Sequence, residues 1–141
     1  MSTAWLAKRC GFLHSIESDK RWYDVVSGIL NREHIANVRY EQRSVETYCN
    51  LSECADGFFD LALVDGLERA ECVRAVLNKV KRGGFVYLDD SDKDMTIPGG
   101  DLRGAEEALL DAVADRKGNA RYFVDFAPAN GHVTQGLLAK L

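Results

Sequence analysis

Two short runs, apolar almost throughout, constrain the fold of this chain more than any other feature. They are Phe59-Asp60-Leu61-Ala62-Leu63-Val64 and Phe85-Val86-Tyr87-Leu88, and an amphipathic stretch separates them. A strand with one wet face alternates polar and apolar residues, so runs of this kind predict parallel strands covered by helices on both faces. Between them Val73, Val76, Leu77 and Val80 mark a helix over about residues 68–81, with Gly83-Gly84 as its C-cap signal. Trp22, Val25, Val26, Ile29 and Leu30 predict a second helix over 19–32, with Asp19 at its N-cap. Leu102, Ala105, Leu109, Ala112 and Val113 predict a third over 101–117, stopped by Gly118. Strand-like runs fall at 11–16, 38–42, 58–64, 85–88, 122–126 and 133–139.

Helix and strand alternate, which predicts an α/β, Rossmann-like, doubly wound and mostly parallel sheet within a single domain over residues 1–141. No helical segment lies between the last two strands, so they are expected to pair antiparallel across the turn that contains Pro128 and Gly131. Residues 89–100 mix charge with Pro98, Gly99 and Gly100 and read as a flexible connection over the functional edge.

With 141 residues, 46% hydrophobic and 28% charged, the chain has an ordinary globular composition, which excludes disordered and collagen-like classes. A net charge of -4 and a pI near 5.4 lack the basic footprint of a nucleic-acid binder. No apolar stretch approaches the roughly 20 residues that span a bilayer. Lys8 and Arg9 interrupt the N-terminus before a signal-peptide core can form, so the expected location is the cytoplasm. Cys10, Cys49, Cys54 and Cys72 form no CxxC pair and read as reduced thiols. Cys49 and Cys54 lack a matching downstream pair at zinc spacing. His14, His34 and His132 are dispersed and read as strand or loop residues rather than ligands.

In open parallel sheets ligands bind beyond the carboxyl ends of the strands. Three acidic positions fall there: Glu17, Asp65, and the pair Asp89-Asp90. At these residues the sequence resembles the class I S-adenosylmethionine-dependent methyltransferases. The resemblance rests on Ser15-Ile16-Glu17-Ser18-Asp19, on Phe59 through Gly66, and on Arg82-Gly83-Gly84 leading into Phe85 through Asp90. These look like the family's second, fourth and fifth strands, and the closing strand pair looks like its antiparallel ending.

The resemblance implies that Glu17 accepts hydrogen bonds from the ribose hydroxyls of S-adenosylmethionine, with Ser18 beside it. Ser44 stands where the family often has an acidic residue for the adenine amino group. Asp65 would lie beside the methionine end or the methyl acceptor, and it is the candidate general base for an acceptor that starts protonated. Asp65, Asp89 and Asp90 also resemble the oxygen ligands of the catechol-type subfamily, which would suit Mg²⁺. Acidic ends after the fifth strand are also common in metal-free members, so no metal ligand is assigned.

The family's first strand and glycine-rich turn have no counterpart among these residues. Met1 through Ala7 resembles the segment just after that turn, where Ser2 or Thr3 would cap the first helix near the cofactor. The numbered sequence is therefore expected to begin in mid-motif. Its missing central strand would leave inner edges that favour a homo-oligomer. The implied activity is methyl transfer to a small-molecule acceptor. The alternative is a non-catalytic interaction protein on the same scaffold, which the absent glycine turn favours. A dinucleotide-binding oxidoreductase is less well supported, because no GxGxxG occurs.

Overall fold

The computed structural model describes residues 2–126, 131 and 133–141. They divide into two compact units, Met1–Tyr48 and Cys49–Leu141, each with its own sheet. No helix among them is long and apolar enough to cross a membrane.

In the first unit, helix α1 (Ser2–Ala7) leads into strand β1 (Leu13–Glu17), helix α2 (Lys20–Arg32) and strand β2 (Val38–Gln42), and a short 3-10 turn at Val45–Thr47 comes after them. β1 and β2 pair in parallel from Leu13↔Val38 to Glu17↔Gln42, with α2 as the crossover. Asp19 caps α2 as its sequence predicts, its carboxylate accepting from the Trp22 N–H at 2.8 Å. Of the α2 stripe only Val26 and Leu30 are buried; Trp22 and Val25 are exposed. The loop before β2 is tied back by Asn37, whose Nδ2 donates to the carbonyls of Ala7 and Cys10, each at 2.8 Å. Ser2 and Thr3 are helical residues of α1 rather than its cap, because the helix already includes Ser2.

The second unit holds strand β3 (Phe59–Val64), helix α3 (Arg69–Leu77), strand β4 (Val80–Leu88), helix α4 (Asp101–Asp115), and strands β5 (Asn119–Phe126) and β6 (Val133–Lys140). The sheet order is β3-β4-β6-β5. β3 and β4 run parallel, and β6 is antiparallel to both β4 and β5, so the expected antiparallel ending forms. The intervening turn at Pro128 lies outside the described residues. The core gathers Val64, Val86, Leu88, Leu137 and Ala139 from one sheet face with Val73 of α3 and Leu102, Ala105, Leu109 and Ala112 of α4. On the other face Leu61, Leu63 and Phe85 are 46%, 40% and 38% exposed, so the helices of this unit cover one face, not both.

Two sequence expectations need correction. The helix over 68–81 ends at Leu77, and Val80 opens β4, so Gly83 and Gly84 lie inside a strand and cap nothing. The register jumps there from Phe59↔Val80 to Leu61↔Phe85. Gly83 has φ +80°, and a Cβ on Gly84 would meet Val80 Cγ1 at 2.8 Å and the Asp60 carbonyl at 2.9 Å. The glycines serve a bulge where two strands come close. The third helix likewise stops at Asp115, with Arg116 as C-cap and Lys117 left-handed. Gly118 is needed because a Cβ there would lie 2.0 Å from the Lys140 carbonyl.

Candidate functional site

In the first unit, Glu17 ends β1, where the strand gives way to the α2 cap. Its Oε1 accepts from the backbone N–H of Ser18 at 2.8 Å and of Asp19 at 2.9 Å. Its other oxygen has no partner among the described residues. The Glu17 carbonyl accepts from Arg43 N–H at 2.9 Å, which fixes the strand end to the segment after β2. Tyr40 stacks on Tyr23 with centroids 4.7 Å apart and planes at 22°. Burial, reinforced by the negative Glu17, pushes the Tyr40 phenol up to about 12, so it stays protonated. Ser44 sits just before the 3-10 turn with its hydroxyl 3.4 Å from that of Thr47. Thr3 Oγ1 and Ser15 Oγ are 2.9 Å apart and share a hydrogen bond, which joins α1 to β1. His14 lies within β1 and His34 comes after α2; His132 is outside the described residues.

In the second unit, the ends of β3 and β4 bring Asp65, Asp89 and Asp90 together, with one carboxylate oxygen of each within 4.8 Å of the others. Three acids so close repel, and Arg69 holds them. Its side chain is only 10% exposed. Its Nε donates to the Gly66 carbonyl at 3.0 Å and its Nη1 to the Asp89 carbonyl. Its Nη2 lies 3.4 Å from Asp65 Oδ1 and 3.7 Å from Asp90 Oδ2. Lys93 pairs with Asp90 as well. Burial raises the Asp65 carboxyl to about 6, helped by the charge of Asp89 and a hydrogen bond to it, against the opposing pull of Arg69. Burial pushes the Tyr87 phenol up too, and its hydroxyl donates to Asp89 Oδ1 at 3.4 Å.

The helix behind this cluster is held from outside. Glu68, at the head of α3, is left-handed (φ 47°) and its side chain caps nothing. Asp101 of α4 does so instead, accepting from Arg69 N–H at 2.8 Å and Ala70 N–H at 2.9 Å. The segment over 89–100 is well tied rather than loose. Asp94 accepts from Leu102 N–H and from Arg103 Nε, each at 2.9 Å, and buried Ser91 bonds to the β6 backbone at Gln135. Cys49 and Cys72 are both free thiols, with sulfurs 3.1 Å apart.

Sequence reasoning therefore located the acids but missed Arg69, Tyr40 and the thiol pair. Arg69 lies four residues after Asp65, but α3 begins only at Arg69, so the spacing carried no helical signal for the pair. Nothing in the sequence pairs Cys49 with Cys72.

No protein-family model matches the chain, and no curated protein matches it in sequence. Solved structures do. An O-methyltransferase from Bacillus cereus in complex with SAH superimposes with a TM-score of 0.80 at 14% identity, over 99% of this chain and 68% of that one. The O-methyltransferase TomG from Streptomyces achromogenes, involved in tomaymycin synthesis and in complex with SAM, gives 0.76 at 20% identity, over 99% and 67%. An rRNA methylase from Streptococcus thermophilus gives 0.68 at 18%, over 99% and 79%. The chain spans about two thirds of the length of the two O-methyltransferases. Identities this low carry the fold and no more. The chain has the Rossmann-like fold of the class I S-adenosylmethionine-dependent methyltransferases.

Proposed function

We infer that the protein takes part in S-adenosylmethionine-dependent methyl transfer to a small molecule. The observation that carries this reading is Glu17. One of its oxygens is pinned by two backbone N–H groups, which leaves the other to accept from a diol. That donor and acceptor chemistry fits the ribose of S-adenosylmethionine. The cofactor supplies a methyl group on a positively charged sulfur, already activated for attack.

The protein's own groups then have four tasks. Glu17 holds the ribose, and Ser18 N–H keeps the carboxylate oriented. Ser44 offers a hydroxyl to the adenine amino group. Ser2 and Thr3, as α1 residues, line the approach of the cofactor. Asp65 takes the proton of an acceptor hydroxyl. A carboxyl at about 6 is mostly ionised at neutral pH yet more basic than an ordinary aspartate, which suits that step. Arg69 and Lys93 already supply positive charge to the three acids, so the reading assigns no metal to them. We place the protein in the cytoplasm as a homo-oligomer.

Calorimetric titration with S-adenosylhomocysteine tests this reading. Because these residues contain no glycine-rich turn, binding is expected on the order of millimolar, or about 4 kcal/mol. Glu17→Ala should weaken it about tenfold or more, the loss of hydrogen bonds to a charged acceptor. Equal affinity of the variant and its parent would refute the assignment of Glu17.

A further inference from the structure

We propose that β5 is a self-association surface, by which two copies of this chain pair antiparallel about Phe123. The proposal is independent of the methyl-transfer reading. β5 is the outer strand of its sheet, and all eight of its residues are exposed. Its free edge presents a row of backbone N–H and C=O groups. Natural edge strands guard that row with proline, inward charges, bulges or shortness. β5 has no proline or bulge and is eight residues long, its only charges are Arg121 and Asp125, of opposite sign, and its pairing with β6 is unbroken from Asn119↔Lys140 to Phe126↔Val133. Tyr122, Phe123, Val124 and Phe126 along it are 41–63% exposed.

The charges say what fits the edge. Arg121 and Asp125 stand on the same sheet face, two residues either side of Phe123. Among the described residues neither makes an ion pair. Arg121 lies over the Phe123 ring at 5.0 Å, and Asp125 accepts only from the N–H of Phe126. An antiparallel two-fold through Phe123 sets Arg121 of each copy opposite Asp125 of the other. It also sets Tyr122 opposite Val124 on the other face. Directly opposed residues of this kind are the stabilising unit of a sheet, and one patch supplying both halves is what a two-fold interface requires. A foreign strand would have to reproduce that charge order by chance, whereas a second copy carries it by construction.

Other edges do not offer this. On β2, Arg39 and Glu41 stand one residue either side of Tyr40, but they already pair with each other, and Arg43 also binds Glu41. On β3, Asp60 has no cation on its own strand to face and is taken by Lys81. The oligomer therefore forms through the outer edge of the second unit rather than through the edges left beside β1 and β3.

Light scattering coupled to gel filtration, across the micromolar range, tests the pairing with charge reversals at two exposed positions. The parent should run at twice 15.7 kDa. Asp125→Arg places like charges opposite one another and should give a monomer, as should Arg121→Asp. The double variant Arg121→Asp/Asp125→Arg swaps the charges and should restore the dimer. An equimolar mixture of the two single variants should form a heterodimer, since one strand is then wholly basic and the other wholly acidic. A monomeric parent overturns the proposal. So does a dimer that survives either single reversal, or a folded double variant, by circular dichroism, that stays monomeric. If one single variant fails to fold, the other single variant and the double variant still distinguish monomer from dimer by the same rule.

Discussion

Replacing Asp65 by Asn removes a carboxyl that the fold holds in an unfavourable state. The Asp65 carboxyl rises from 3.8 to about 6, so between these values the native protein keeps a proton that the unfolded chain has released. Stability is therefore full at low pH and is lost as pH rises through about 6. For a group wholly out of water the difference would be about 3 kcal/mol. Its side chain is 46% exposed, so solvent screening reduces the effect to about 1 kcal/mol. Asn keeps the shape and still offers an oxygen to Arg69 without the charge. The comparison is urea unfolding of both proteins from pH 4 to pH 8, because carboxylates away from the Asp65, Asp89 and Asp90 cluster titrate alike in each and cancel. The variant should match its parent near pH 4 and exceed it by about 1 kcal/mol above pH 7. A difference that stays flat with pH, or a variant whose advantage over its parent shrinks as pH rises, would show that Asp65 is not held in this way.

Three further outcomes are expected. Arg69→Met should destabilise the second unit by about 2–4 kcal/mol in urea unfolding, because it leaves three acids facing one another and the Gly66 and Asp89 carbonyls without their donor. Asp101→Ala removes both acceptors from the head of α3, so amide exchange should quicken at Arg69 and Ala70, with a loss of about 1–2 kcal/mol. Thiol labelling at neutral pH should modify exposed Cys10 first and Cys72 last, because burial pushes the Cys72 thiol up and suppresses its thiolate.

The features legible in the sequence are those that local chemistry decides. The Asp19 cap and the α4 stripe come from residues a turn apart, and the acids at Glu17, Asp65 and Asp89-Asp90 are marked by where apolar runs stop. The hidden features depend on residues far away in the chain. Gly83-Gly84 carries the local mark of a helix end, yet the approach of Asp60 from β3 makes it a strand bulge. The segment over 89–100 has a loose composition, and Asp94 ties it through bonds to Leu102 and Arg103. Leu61, Leu63 and Phe85 read as covered on both faces because a hydrophobic residue does not say what covers it. Cys49 and Cys72 are 23 positions apart in the chain, yet their sulfurs lie 3.1 Å apart.

The central claim, that Glu17 holds a ribose, is tested most directly by the amide resonances of Ser18 and Asp19. Both N–H groups donate to the Glu17 carboxylate, so any load on its free oxygen reaches them. Titration of nitrogen-15-labelled protein with S-adenosylhomocysteine should shift both resonances along one saturable curve, and Glu17→Ala should abolish the response. Resonances that stay still in the parent, or that shift equally in the variant, would contradict the account.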